Sequence, residues 1–192
     1  VLEFYKILPF NYYGSIEEQV KSITQQSPIE ELYPPLKNLV TPCKNILEVG
    51  VGAGWLTNSI AYHYKKKVLG LDFNPIAIER ASSVAKKMEL QSKFLCEDLF
   101  AFSEEKKTNE DCFDLILSLG VLHHTDNCIG AIKAICKNLL KEKGYFFVGL
   151  YHKHGRKPFL KYFQDLKKKK LSEEELFEKY KELHGLSDET HL

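Results

Sequence analysis

The chain has 192 residues, enough for one domain with an appendage and for a core that buries roughly 70% of the unfolded chain's surface. Its 44% hydrophobic and 28% charged residues are the composition of a soluble globular protein, and a net charge of +1 gives no sign of a general nucleic-acid or membrane partner. No apolar run approaches the roughly 18 residues of a membrane-spanning helix.

Glu3, Lys6 and Pro9 interrupt any signal-peptide pattern, and a start at Val1 rather than Met reads as that of a fragment or a processed chain. Five cysteines (43, 96, 112, 128 and 136) are odd in number and form no C-x-x-C pair. That usage fits reduced thiols in a cytoplasm better than a disulfide frame or a zinc site.

Residues 1–14 are aromatic and turn-rich, with Phe10, Tyr12 and Tyr13 open to two readings, simple packing or a lid over a ligand. Ser15-Ile16-Glu17-Glu18 is a capping box that opens a helix to about Gln26. A short helix near Ile29–Tyr33 is expected to stop at Pro34 and Pro35. A regular alternation follows: strand 46–49, helix 55–65, strand 67–71, helix 75–89, strand 93–96, a short helix or loop through Ser103, a charged loop 104–111, strand 113–117, helix 127–141 and strand 145–150. Asn74 caps and Pro75 starts the helix at 75–89. Strands alternating with helices of this length imply βαβ units and a parallel sheet. Beyond Leu150, Gly155–Pro158 reads as a turn, helix 159–169 ends in lysines, and Ser172–Glu175 caps a helix to about Leu183. The organisation is then an N-terminal helical lid (1–40), an α/β core (41–151) and a C-terminal helical cap (152–192).

In an open α/β sheet, ligands bind beyond the carboxyl ends of the strands. The first strand delivers Glu48 and then Gly50, Gly52 and Gly54; the second, Asp72 and Phe73; the third, Asp98 and Leu99; the fourth, Ser118, Leu119 and Gly120, followed by His123 and His124. Alternate glycines allow a tight turn with no Cβ in a ligand's way, and the helix that follows aims N–H groups at the turn. A nucleotide-like ligand is the natural occupant. Asp72, 22 residues after Gly50, can accept both hydroxyls of a ribose. Asp98 can accept from an exocyclic amine such as that of adenine, and Glu48 can face a cationic group. An acid-lined pocket suits a positively charged ligand and suits a pyrophosphate poorly. A dinucleotide fingerprint, G-x-G-x-x-G, would need a third glycine where Trp55 stands.

The G-x-G-x-G turn preceded by Glu48 resembles the S-adenosylmethionine motif of the Rossmann-like methyltransferases. Residues 69–75 (LGLDFNP) resemble that family's ribose-binding acid loop, and 96–100 (CEDLF) its adenine-binding segment. Residues 113–125 (FDLILSLGVLHHT) resemble the fourth-strand motif of its small-molecule branch, which includes ubiquinone-biosynthesis-type enzymes, and 139–151 resemble its fifth-strand segment.

The resemblance implies a three-layer α/β/α sandwich with a mainly parallel sheet of order 3-2-1-4-5. It also implies a cofactor, S-adenosylmethionine, that leaves as S-adenosylhomocysteine. Gly50, Val51, Gly52 and Gly54 would run along the methionine part, with Glu48 at its amino group. Asp72 would hold the ribose and Phe73 would pack by the adenine. Asp98 would meet the adenine amine, with the Leu99 N–H at a ring nitrogen, and the backbone of Ser118 and Leu119 would line the methionine end. Beside what the resemblance implies, Tyr12, Tyr13, His124 and Tyr151 are candidate substrate or lid residues.

The family's last two strands are not visible in this chain, which leaves a truncated C-terminus open. Ser118–Val121 also lacks the N-P-P-Y-like motif of the nucleic-acid adenine branch and the Pro-Cys of the cytosine branch. A small-molecule acceptor is therefore expected, with no membrane partner. The rival readings are an RNA or protein methyltransferase, a nicotinamide-dependent oxidoreductase and a non-catalytic cofactor-binding subunit. If the acceptor must lose a proton, His123 and His124 are the candidate bases, against the structural reading of satisfied loop histidines. His152 and His154 have no third partner for a metal, so none is expected. The lysine runs at 65–67 and 167–170 read as helix ends.

Overall fold

A computed structural model of the chain describes residues 14–104 and 111–184. Phe10, Tyr12, Tyr13 and most of the charged loop at 104–111 lie outside the described residues.

Helix α1 (Ile16–Gln25) begins at the Ser15 capping box, where the Glu18 N–H donates to Ser15 Oγ and the Ser15 N–H donates back to the Glu18 carboxylate. Two short helices follow, α2 (Pro28–Glu31) and α3 (Pro34–Val40). Here the sequence expectation fails, because Pro34 and Pro35 open a helix instead of only closing one. Proline's fixed φ and missing N–H cost nothing in a first turn, where the N–H groups have no helical acceptor anyway.

The alternation then runs β1 (Ile46–Val49), α4 (Trp55–Tyr64), β2 (Val68–Asp72), α5 (Pro75–Lys87), β3 (Lys93–Cys96), α6 (Leu99–Glu104), β4 (Phe113–Leu119), α7 (Cys128–Ala134) and β5 (Leu140–Gly149). All strand pairs are parallel, in the order β3-β2-β1-β4-β5. The helix expected over 127–141 is shorter than its apolar pattern. After Ala134 it widens into a π turn (Ile135–Leu139), and β5 starts at Leu140, five residues earlier than expected. Pairing Phe113 with Leu140 but Leu115 with Tyr145 puts a bulge into β5 before its regular register.

Both faces of the central strands β1, β2 and β4 are buried, as their nearly continuous apolar runs require. On one face Leu47, Val49, Leu71 and Ile116 pack with Leu99 and Phe102 of α6, with Ala131 of α7 and with Ile135 of the π turn. On the other, Ile46, Val68, Leu115 and Leu117 pack with Ile29, Leu36 and Val40 of α2 and α3 and with Leu56 and Ile60 of α4. Residues 29–40 therefore supply core side chains. Helix α1 packs on α4 and α5.

The chain divides into two compact units, residues 1–150 and 151–192. The second consists, among its described residues, of α8 (Lys153–Lys168) and α9 (Glu173–His184), which meet through Phe163 and Tyr180 with ring centroids 6.3 Å apart. The turn expected at Gly155–Pro158 is instead inside α8. The His152 imidazole accepts from the Gly155 N–H at 3.1 Å and caps the helix ahead of those residues.

Candidate functional site

The register of the sheet brings the predicted strand-end residues together. Val49 is level with Leu71, so Asp72 lies one residue beyond the end of β1, beside the glycine turn. The Gly52 N–H donates to Asp72 Oδ2 at 2.9 Å and the Asn74 N–H to Asp72 Oδ1 at 2.9 Å. Asn74 Oδ1 in turn accepts from the Ile76 N–H and caps α5, as its position predicts.

Glu48 points toward α4, fully buried, and accepts a hydrogen bond from the Thr57 hydroxyl. Burial pushes the Glu48 carboxyl up to about 8, and the nearby Asp72 carboxylate pushes in the same direction. Asp72 is also raised above its ordinary value by burial, against the lowering effect of the N–H groups it accepts from. Two desolvated acids behind one turn form a site complementary to positive charge.

The glycine turn is built for its own packing as well as for a neighbour. Gly50 and Gly54 have φ of +78° and +80°. A Cβ on Gly50 would lie 2.3 Å from a Val121 methyl, and one on Gly54 would lie 2.5 Å from Ala81 Cβ. The turn also spends its donors internally. The Gly50 and Val51 N–H groups donate to Leu71 O, Gly52 to Asp72 and Gly54 to Val51 O. A pyrophosphate needs such N–H groups turned toward it, so the turn is poorly equipped for a dinucleotide.

At the end of β4, Ser118 is fully buried and its Oγ has no hydrogen-bond partner among the described residues. Gly120, two residues on, has open space where a Cβ would be. Both lie at the carboxyl end of β4, where Leu117 is level with Glu48 of β1. Leu119 is half-buried. Val121 leads into a 3₁₀ turn, Leu122–His124. The rings of His123 and His124 lie 4.1 Å apart, with His124 exposed and the His123 nitrogens buried.

On the other side of the site Phe73 is 40% exposed, an apolar ring open to a planar neighbour. Asp98 has a role that the sequence reading did not assign. Its Oδ1 accepts from the Phe100 and Ala101 N–H groups at 2.8 and 3.1 Å, which caps α6. Leu99 is the first residue of that helix, where N–H groups have no acceptor within the helix. Tyr151 is exposed and belongs to the second unit. No group of three metal-ligating side chains occurs among the described residues.

Three residues escaped the sequence reading. Thr57 is a buried polar side chain in the first turn of α4, followed by two more, Asn58 and Ser59. Gln19 and Arg80 are buried polar residues on the apolar faces of α1 and α5. Gln19 Nε2 donates to the Ala53 carbonyl at 2.8 Å, Arg80 Nε donates to Gln19 Oε1 at 2.8 Å, and an Arg80 Nη donates to the Gly14 carbonyl at 3.0 Å. The available signal was a polar residue inside an apolar stripe, between Ile16 and Ile23 in one case and between Ala77 and Val84 in the other.

Residues 41–187 match a family described as a methyltransferase domain. A Methanocaldococcus jannaschii protein named for protein N5-glutamine methylation is 38% identical over 91 residues, 47% of this chain and 43% of that protein. The ubiquinone biosynthesis O-methyltransferase of Coxiella burnetii is 29% identical over 104 residues, 54% of this chain and 42% of the enzyme. This chain thus spans less than half the length of these relatives. In structure, the PH0226 protein of Pyrococcus horikoshii superposes with a TM-score of 0.62 at 22% identity, covering 83% of this chain and 70% of that one, a likeness of fold.

Proposed function

We propose that this chain, which belongs to the methyltransferase domain family as a class I enzyme with S-adenosylmethionine as cofactor and S-adenosylhomocysteine as product, methylates a small molecule. The observation that carries the reading is the juxtaposition of Glu48, the glycine turn and Asp72 at the carboxyl ends of β1 and β2, next to the end of β4. Glu48, with Asp72 behind it, meets the cationic amino-acid end. Asp72 accepts from the ribose hydroxyls, and Phe73 and the first turn of α6 take the adenine. Gly50, Val51, Gly52 and Gly54 shape the floor, and Ser118 and Leu119 close the methionine end.

Bound, S-adenosylmethionine supplies a methyl group on a sulfonium that is already activated for in-line displacement, so much of the catalysis is positioning. The acceptor approaches from the rim where His124 is exposed. For a hydroxyl acceptor, the His124 imidazole takes the proton that the oxygen loses. His123, its ring 4.1 Å away, holds that ring in place. The Ser118–Val121 segment supports a small acceptor over a nucleic acid, and the name of the Coxiella relative points the same way. Five free thiols support a reducing, cytoplasmic setting, and no described helix is long and apolar enough to cross a membrane.

The test has two stages. S-adenosylhomocysteine is titrated by calorimetry, and absence of binding at millimolar ligand overturns the site. Transfer of a labelled methyl group is then measured to a panel of hydroxylated aromatics, amines and glutamine-containing peptides. Transfer to small molecules is the expected result; transfer to peptides alone overturns the acceptor class and favours the activity named for the Methanocaldococcus relative.

A further inference from the structure

We infer that Gln19 and Arg80 are positioning residues for the cofactor site and make helix α1 a lock on the glycine turn. The inference rests on the reading of that turn as the cofactor's floor. Ala53 sits between Gly52 and Gly54, the two most freely turning neighbours that a peptide can have. Its carbonyl is held from outside the α/β core by the Gln19 amide at 2.8 Å. Holding that carbonyl fixes the peptide plane between the two glycines.

The chemistry admits one orientation of the Gln19 amide. A guanidinium can only donate, so Arg80 Nε must meet Oε1, and the amide NH₂ is left for the Ala53 carbonyl. Gln19 and Arg80 are each more than nine-tenths buried, so water does not compete for these bonds. Arg80 also holds the Gly14 carbonyl and so ties down the chain as it enters α1. Around this centre α1 is fastened twice more. His63 Nε2 meets the Ile23 carbonyl at 2.7 Å, and Lys87 pairs with Glu17. Those two contacts hold the helix to α4 and α5, and neither touches the turn. Among the described residues, Gln19 is the side chain of α1 that hydrogen-bonds to the turn. Coupling is reciprocal, so a ligand that needs the locked turn must tighten the docking of α1.

Gln19→Glu separates the lock from the fold. The carboxylate still accepts from Arg80, which keeps α1 docked, but it sets an acceptor against the Ala53 carbonyl. The expected result is an S-adenosylhomocysteine Kd at least fivefold weaker than wild type by calorimetry, with the melting temperature little changed. In the wild type, saturating S-adenosylhomocysteine should slow hydrogen exchange of the α1 amides by at least fivefold, a readout that needs no variant. A Gln19→Glu Kd within twofold of wild type, or α1 exchange in the wild type indifferent to ligand, overturns the lock. Asp72→Ala is the control. If it weakens binding while Gln19→Glu does not, the lock alone fails; if neither changes binding, the assignment of the site fails instead.

Discussion

The buried Glu48 carboxyl gives the most demanding prediction, because its effect on stability has a definite sign and range. In the unfolded chain it ionises near its ordinary value of 4.5; in the folded protein burial holds its proton until about pH 8. Between these values the unfolded state releases a proton that the folded state keeps, so stability falls as pH rises through that window. Below 4.5 the contribution vanishes, and above 8 the cost is constant. Integrated over the window, it is on the order of 5 kcal/mol, at about 1.4 kcal/mol per pH unit.

Glu48→Gln keeps the shape and an acceptor for the Thr57 hydroxyl but cannot ionise. Urea denaturation of both proteins at intervals from pH 5 to 8.5 isolates the term as the difference in stability. The variant should gain on wild type steadily up to about pH 8 and then level off. Binding carries the opposite slope, since a cationic ligand favours the ionised carboxyl. Wild-type affinity for S-adenosylhomocysteine should rise from pH 6 to 8 with release of close to one proton, and Glu48→Gln should abolish that release. A flat difference in stability across the window would refute the claim that Glu48 is held neutral by its surroundings.

Asp72→Ala removes the acceptor of the Gly52 and Asn74 N–H groups, which costs about 1–3 kcal/mol for each buried donor left without a partner, and it should weaken S-adenosylhomocysteine binding more than tenfold. Calorimetry and thermal unfolding read the two effects separately; an affinity equal to wild type refutes the ribose role. Gly54→Ala combines a left-handed backbone with a Cβ 2.5 Å from Ala81, while Gly120→Ala has a φ of +74° and open space. The first should lose about 1–3 kcal/mol more than the second in urea unfolding, the difference being steric overlap. His124→Gln should lower turnover of a hydroxyl acceptor at least tenfold with an unchanged Kd for S-adenosylhomocysteine; an unchanged turnover removes His124 as the base.

Much of the fold was legible because its elements announce themselves locally. The strand at 46–49 is a short apolar run closed by glycine, and the helix at 75–87 carries its own cap and first-turn proline. What was not legible depends on partners distant in sequence. Nothing near Pro34 says that Leu36 and Val40 will find a sheet face to cover, and that burial is what makes α3 worth forming. The early start of β5 likewise follows from pairing with Phe113, a contact between residues far apart in the chain. In the site, Glu48, Asp72 and the glycines were visible because strand ends are predictable places. Gln19 and Arg80 were not, since each looks like a surface polar residue until the other helix is present.

The glycine spacing itself says less about the ligand than its place in the motif suggests. Two of the three glycines are demanded by the protein's own atoms, Gly50 by Val121 and Gly54 by Ala81. Any turn that brings β1, α4 and α5 this close would need them, whatever it binds. The turn's N–H groups at Gly50, Val51, Gly52 and Gly54 are likewise committed to protein acceptors. A phosphate therefore finds few donors there, and the ligand's identity has to be carried by the acids. Glu48 is held by Thr57 within reach of Asp72's charge, and Asp72 is held by Gly52 and Asn74. A desolvated acid is costly until a cation or hydroxyl donors arrive. A ligand with an ammonium at one end and a ribose diol in the middle supplies both, whereas a dinucleotide supplies a diol but sets a pyrophosphate anion where the turn has few free donors.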